Sequence, residues 1–186
     1  MNFKAYCEAL GRLYADRGYA LELHPGANED ALTLAEAKLG FALDQDMRTA
    51  WLHADGGEAW RPVFARPGFL EAYDFLSIEE GLLARDHLRK RSPQYADYED
   101  PEPRDPRVKP GWFEAGWIPF AGLNGESLLL MQDYSPTSLG RRGQIIAFTH
   151  DPDSITYVAQ DLAALLSASI EAIAADPDEF LIMLDA

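Results

Sequence analysis

Residues 117–149 read WIPFAGLNGESLLLMQDYSPTSLGRRGQIIAFT. The segment contains three short apolar runs separated by Gly, Asn, Pro and Ser, namely Trp117 to Ala121, Ser127 to Asp133 and Gln144 to Thr149. Short apolar runs that alternate with turn-forming residues predict the strands of an antiparallel meander. Asn124-Gly125, between the first two runs, is a strong signal for a hairpin turn because both residues accept positive φ.

The first third of the chain predicts three helices and one short strand. Apolar residues recur at helical spacing from Phe3 to Tyr14, and the run from Tyr19 to Leu23 alternates as a strand does. Two more helices follow before residue 58. The residues placed to cap or to end the three helices are Gly18 for the first, Asn28 and Gly40 for the second, and Asp44 and Asp55-Gly56-Gly57 for the third.

A fourth helix and a loop connect these helices to the meander. Trp60 to Phe64 and Ala72 to Leu76 are predicted to be extended, and Ser77 with Glu80 has the spacing of a capping box. The helix that this box opens should run to about Arg91, with its inward residues being Leu82, Leu83 and Leu88. Prolines at 93, 101, 103, 106 and 110 exclude a helix or a central strand, so residues 92–111 are predicted to form an extended surface loop.

The C-terminal part predicts one amphipathic helix from about Gln160 to Ala175, stopped by Pro177 and followed by an apolar cluster at 180–184. Helices, then a sheet, then a helix indicate an α+β fold. We expect a single domain with a mainly antiparallel sheet, N-terminal helices, one mid-chain helix, and a C-terminal helix packed on the sheet. One domain is also the usual number for 186 residues.

The charge of the chain excludes several classes of partner. There are 31 Asp and Glu against 16 Lys and Arg, a formal net charge of -15. This balance argues against direct binding of nucleic acid and of anionic membranes, because both need a basic surface. Ten acidic residues and two arginines lie between Ala121 and the C-terminus. On one face they would attract a basic partner; otherwise they are a solvated surface.

Other features of the sequence limit the cellular compartment and the disulfide chemistry that we expect for the chain. Cys7 is the only cysteine, which excludes an intramolecular disulfide, and its place on the apolar face of the first helix predicts a core residue. The N-terminus lacks the apolar stretch of a signal peptide. The longest uncharged run, Ala115 to Gly125, has 11 residues, short of the roughly 20 that span a bilayer. We expect a soluble, cytoplasmic protein without a cofactor.

Several motifs occur in a characteristic order. They are Leu39-Gly40-Phe41-Ala42-Leu43, Met47 to Leu52 with Asp55-Gly56-Gly57, Trp117 to Ala121, Leu128 to Pro136, Gly140 with Gly143 to Ile146, and His150 to Asp153 with Tyr157 to Leu166. Their order and spacing resemble the SUKH superfamily, the Smi/Knr-like domains named after a fungal cell-wall assembly regulator. The resemblance makes residues 1–27 an N-terminal extension and residues 28–186 the domain, with the proline-rich loop at 92–111. Asp44 and Asp55 depart from the family pattern, which usually has Pro and Asn there.

The resemblance implies a protein-binding domain without catalysis. Bacterial members are similar to immunity proteins that neutralise toxins, often nucleases, and fungal members act as regulators of signalling and of the cell wall. We favour an immunity protein for a basic toxin, which could be a nuclease, and keep a regulatory interaction module as the alternative. In either role the chain is expected to be a monomer or a weak homodimer.

Acidic and aromatic residues near predicted turns and strand ends are the candidate contacts for a protein partner. They are Asp55, Trp60, Trp112, Asp133, Tyr134, Asp151 and Asp153. Tryptophan is enriched among residues that dominate binding energy, although it is also a large core residue. The structural alternative for Asp133 is to cap the turn that follows its strand.

An enzyme is the least favoured interpretation. The four histidines, at 24, 53, 87 and 150, do not have the spacing of a zinc site on one helix. The sequence has no nucleophile elbow, phosphate loop or dinucleotide fingerprint. His150-Asp151-Pro152-Asp153 could form a metal patch, but a turn at the end of a strand is favoured because Asp and Pro are turn residues. A small hydrolase built around His150 remains a remote alternative.

Overall fold

The structure is a computed structural model of the chain, and it describes residues 1–98, 100, 102–123 and 125–181. Its strands form one antiparallel sheet in the order in which they occur along the chain. The strands are β1 (Phe64–Ala65), β2 (Ala72–Phe75), β3 (Trp117–Leu123), β4 (Leu128–Asp133), β5 (Gln144–Thr149) and β6 (Ser154–Ala159). The meander predicted from residues 117–149 is therefore confirmed as β3, β4 and β5. Asn124 of the predicted hairpin turn lies outside the described residues.

The helices begin where the sequence offers a side-chain cap. Those described are α1 (Phe3–Ala15), α2 (Glu29–Leu39), α3 (Gln45–His53), α4 (Ile78–Arg91), α5 (Leu162–Ala175) and α6 (Pro177–Leu181). Asn28, Asp44 and Asp161 each accept a hydrogen bond from a backbone N–H in the first turn of the helix that follows. Ser77 and Glu80 form the predicted capping box. The α+β fold is confirmed.

The two faces of the sheet are covered by different parts of the chain. Helices α1, α3 and α5 contribute to the larger core on one face, where Tyr6, Leu10, Trp51 and Leu165 are almost fully buried. Cys7 belongs to this core as predicted, and burial raises the pKa of its thiol to about 12. The second face is covered by α4 and by the segment that leads from α4 to β3.

The proline-rich loop is more than a surface connection. It starts with a 3₁₀ turn at Ser92–Tyr95, and further along the connection to β3 Val108 and Trp112 are 3% and 8% exposed. Both side chains pack against the second face of the sheet, in one cluster with Phe148. This segment therefore completes the smaller core, because apolar surface on that face would otherwise meet water.

Three local predictions were wrong. Tyr19 to Leu23 is not a strand, because it makes only one bridge, between Leu23 and Gly57. Trp60, the first residue of the segment predicted to be extended to Phe64, is not extended, because its φ is 61°, whereas Phe64 enters β1. Leu83 does not face inward but is 53% exposed. The apolar residues predicted at 182–184 lie outside the described residues.

The orientation of α4 has a steric cause. The helix buries Ile78, Gly81, Ala84 and Leu88, so small residues form the middle of its contact with the sheet. A Cβ atom at Gly81 would lie 2.4 Å from the carbonyl oxygen of Pro119 in β3. Because α4 approaches β3 so closely at this point, the helix is rotated to present its small residues inward, and Leu83 is left in the solvent.

Candidate functional site: an acidic groove beside Trp60

The structure separates the predicted contact residues into buried and accessible ones. Asp133 is fully buried, and Tyr134 and Trp112 are each 8% exposed. Asp55 and Asp153 are partly buried, whereas Asp151 and Trp60 are exposed. Because a partner can contact only accessible side chains, the candidate site has to be built from the second group.

Asp133 and Tyr134 belong to a buried polar network that joins β4 to its neighbours. Asp133 accepts hydrogen bonds from the backbone N–H of Ser135 at 2.8 Å and from Nε2 of Gln144 at 3.0 Å. The hydroxyl of Tyr134 accepts a hydrogen bond from the backbone N–H of Asp44 at 3.1 Å and donates one to Gln132. The motif from Asp133 to Gln144 therefore connects β4, β5 and the start of α3, so its role is structural.

Two of the remaining acidic candidates, Asp55 and Asp153, also have local partners. Asp55 accepts a hydrogen bond from the backbone N–H of Ile78 at 2.8 Å, so its charge lies at the N-terminus of α4, where it is favourable. Asp153 contacts Nδ1 of His150 at 2.7 Å and accepts a hydrogen bond from the hydroxyl of Tyr95 at 3.0 Å. Among the described residues there is no group of three or more His, Cys, Asp or Glu that could hold a metal ion.

Trp112 is an aromatic connector inside the molecule. Its ring stacks on Tyr95 with 4.6 Å between centroids, and it meets Tyr98 edge-on at 5.3 Å. The guanidinium of Arg104 lies 5.2 Å from the Trp112 ring. These contacts fix the segment after α4 on the second face of the sheet, so Trp112 contributes to packing.

Trp60 is an exposed aromatic candidate, and it borders a surface groove of about 450 Å³. The groove lies between the segment after α3, the β2–β3 part of the sheet, α4 and the turn between β3 and β4. Its polar lining is acidic, with Glu58, Asp74, Glu80 and Glu126. Among the described residues that line it, the basic side chains are limited to His24, without a lysine or an arginine. We call this feature the acidic groove.

Trp60 is held in an unfavourable backbone conformation beside this groove. Its φ is 61°, in the left-handed region that a residue with a Cβ rarely adopts, at a cost of roughly 1–2 kcal/mol. Its backbone N–H donates to Oδ2 of Asp74 at 2.9 Å, which stabilises this geometry. The side chain is nevertheless 50% exposed, so burial of the ring does not offset the strain. Such a combination points to a functional role for the indole.

The carboxylates of the acidic groove are only partly neutralised. Burial raises the pKa of Asp74, the backbone N–H groups of Trp60 and Arg61 lower it, and the charge of Glu80 raises it again. Glu58 lies 3.8 Å from Nε2 of His24, and Glu126 lies 2.9 Å from Nδ1 of His87 and 3.9 Å from a guanidinium nitrogen of Arg91. A basic side chain from a partner would therefore meet a negative potential and an aromatic face together.

A pH titration of stability follows from the environment of Asp74. Because its pKa is raised above the ordinary 3.8 in the folded protein, the folded state keeps this proton to higher pH than the unfolded chain does. The stabilising contribution is present below about pH 3.8 and is lost as pH rises through the raised pKa. We expect the difference in the free energy of unfolding between wild type and Asp74→Asn to decrease from about pH 3 to about pH 7, measured by urea denaturation.

Asp86 supplies a control of the opposite sign. Lys90 and Arg89 hold the pKa of its carboxyl at about 2, so its contribution is present above 3.8 and is lost in acid. The difference between wild type and Asp86→Asn should therefore increase with pH. A difference that also increases for Asp74→Asn would contradict the environment described here for Asp74.

Comparison with known proteins places most of the chain in one family. A model described as SMI1 / KNR4 family (SUKH-1) matches residues 26–168. The match includes α2 to α4, the whole sheet and the first half of α5, and it contains the described lining residues of the acidic groove apart from His24. No curated protein matches the chain. Among the described residues, no helix is both long and apolar enough to cross a membrane.

Proposed function

The chain belongs to the SMI1 / KNR4 family (SUKH-1), and from this premise we propose that it acts as an immunity protein that binds and neutralises a basic toxin. The family is one of protein-binding domains that generally lack enzymatic activity. The proposal places the protein in the cytoplasm as a monomer or weak homodimer, without a cofactor. Its contact surface would be the acidic groove.

The observation that carries the proposal is the exposed, strained Trp60 at the edge of four carboxylates. A tryptophan anchor supplies a large apolar contact, and tryptophans of this kind dominate binding energy in many interfaces. The surrounding negative charge accelerates association with a positive partner and disfavours acidic ones. A toxin that acts on nucleic acid presents a basic active surface, because it has to bind phosphates.

Leu83 extends this surface along α4. It is 53% exposed and lines the same groove as Trp60. Two exposed apolar side chains within an acidic rim reproduce the usual organisation of an interface, in which an apolar centre is enclosed by polar residues.

The experiment that tests the function is co-expression with the product of the neighbouring toxin gene. We expect the wild-type chain to protect the producing cells and to form a complex that survives purification at low salt. Reversing one rim charge with Glu58→Lys should lower the association rate by about tenfold at low ionic strength and flatten its salt dependence. Stopped-flow association over a salt series measures both effects.

Glu171→Lys is the matched control, because it makes the same charge change at an exposed position on α5. It should leave the association rate within about twofold of the wild type. The proposal would be contradicted if the wild-type chain did not protect the cells and neither variant changed the association rate. A toxin that proves to be acidic would also contradict it. If no toxin gene adjoins this one and no complex forms, the regulatory interaction module becomes the better explanation.

A further inference from the structure

The two edges of the sheet are finished in different ways. At the β1 edge, side chains from α1 and α5 bond to backbone groups in or next to the strand, and α5 packs against it. These bonds run from the Tyr14 hydroxyl to the Pro62 carbonyl at 2.9 Å, from the Tyr6 hydroxyl to the Val63 carbonyl, and from the Ala65 N–H to Oγ of Ser169 at 2.8 Å. The β1 edge is therefore closed to another strand.

The β6 edge has no comparable cover. Residues 154–159 pair with β5, and within the described part of the chain their backbone groups have no hydrogen-bond partner besides β5. The strand reads Ser-Ile-Thr-Tyr-Val-Ala, without a charge or a proline and rich in residues that favour strands. Proteins usually protect such an edge with charges, prolines or a covering segment. An edge of this composition is suited to adding a further strand.

A groove of about 540 Å³ runs along this edge. Ser154 to Tyr157, four consecutive residues of β6, line it, which corresponds to a length of roughly 13 Å. Arg66 and Phe69, at the turn between β1 and β2, line the groove, as does the stretch Glu102 to Asp105 of the proline-rich loop. Phe69 is 49% exposed, so its ring offers an apolar contact surface at the groove. We call this feature the β6 groove.

The charges of the β6 groove determine which kind of peptide strand could be added beside β6. Its described lining contains four carboxylates and two guanidiniums. Three of the carboxylates are paired, Glu71 with Arg66, Asp100 with Arg104 and Asp105 with Arg107, which leaves Glu102 for a basic side chain. Arg66 is 4% exposed and already bonded to Glu71, Thr149 and Thr156, so it is not available to an anionic ligand. Glu102 is exposed at the rim. A second copy would bring its own four carboxylates and another charge of -15, which disfavours pairing of β6 with itself.

We propose that β6 accepts an extended, basic peptide segment of a partner protein as a seventh strand of the sheet. Backbone hydrogen bonds to the free edge supply affinity. Glu102 at the rim and the net charge of -15 favour lysine or arginine beside the strand. The β6 groove and the acidic groove share no lining residue. This second docking site is therefore independent of the proposed role of Trp60, and either can fail without the other.

The test uses a synthetic peptide of the sequence Lys-Thr-Val-Lys-Val-Thr-Val-Lys with blocked ends. Only every second amide of an added strand faces β6, so N-methylation of that set should weaken binding by roughly tenfold or more. Methylation of the other set should leave affinity within about twofold of the unmethylated peptide. Calorimetric titration of the full-length protein at low salt measures the three affinities, and circular dichroism of the peptides checks that they remain unaggregated.

Two variants complete the design. Glu102→Lys should weaken binding of the unmethylated peptide by about fivefold and reduce its salt dependence, whereas Glu8→Lys on α1 should not. Equal losses for the two methylated peptides, or no binding of the unmethylated peptide at about 1 mM, would overturn the proposal. Sedimentation that shows a dimer dissociated by the peptide would also overturn it, because a second copy would then be the natural occupant of β6.

Discussion

Trp60→Gly should abolish tight binding of the proposed toxin partner while leaving the fold as stable as the wild type or more stable. The substitution removes the exposed indole, and it also removes the Cβ that makes a φ of 61° unfavourable. Glycine adopts positive φ without strain, which can stabilise the fold by about 1 kcal/mol, although glycine also gives the unfolded chain more freedom. Affinity should fall by about 2–4 kcal/mol, the usual cost of removing a tryptophan anchor from an interface.

The companion variant Trp60→Ala separates the two effects. It removes the indole but keeps the strained backbone, so it should lose the same affinity without the gain in stability. Leu139→Ala is the control for loss of exposed apolar surface, since Leu139 is 69% exposed and does not line the acidic groove. Calorimetry with the purified toxin and urea denaturation of each variant give the two quantities. If Trp60→Gly bound the toxin with wild-type affinity, the indole would not be part of the interface.

The parts of the fold that could be predicted from the sequence depend on neighbouring residues. Asn28, Asp44 and Ser77 satisfy the N–H groups of the helices that they start, so each cap is determined within about four residues of chain. The strands β3 to β5 are likewise set by apolar runs and by the turns between them. Tyr19 to Leu23 failed because alternation alone does not supply a strand with a neighbour to pair with.

The candidate site could be predicted only in part, because it combines residues that are distant in sequence. The sequence identifies Trp60 from its place near a turn. Asp74, Glu80 and Glu126 line the same groove only because β2 pairs with β3 and α4 packs on the sheet. The sequence identifies Glu80 as half of a capping box, and the structure confirms this role. The capping spacing does not indicate that Glu80 also lines the acidic groove. Local patterns do not report which separate segments share a surface.

The buried members of the predicted site show why family motifs can mislead. Asp133 and Tyr134 are polar residues at a strand end, a position that fits both a binding site and an internal network. Their partners Gln144 and Asp44 are 11 and 90 residues away along the chain, so the sequence does not reveal that their hydrogen bonds are already made. A motif of this kind preserves the connection between β4, β5 and α3 and need not mark the partner surface.

Gly81→Ala should destabilise the protein, although the same change stabilises an ordinary helix. Alanine in place of glycine inside an exposed helix gains about 1 kcal/mol. At Gly81 the new Cβ would lie 2.4 Å from the carbonyl oxygen of Pro119, which belongs to the backbone of β3 and cannot rotate away. Either α4 or β3 must move, so we expect a net loss of about 1–3 kcal/mol in the free energy of unfolding.

Gly11→Ala in α1 is the matched control, because no atom lies within 4 Å of the position that its Cβ would take. It should show the ordinary gain of up to about 1 kcal/mol, so the two substitutions are expected to differ in sign in the same urea titration. Gly81→Ala should also weaken binding of the proposed toxin, since displacement of α4 changes the positions of Glu80 and Leu83 relative to Trp60. A stabilised Gly81→Ala variant with unchanged affinity would show that α4 does not depend on this close approach to position the groove.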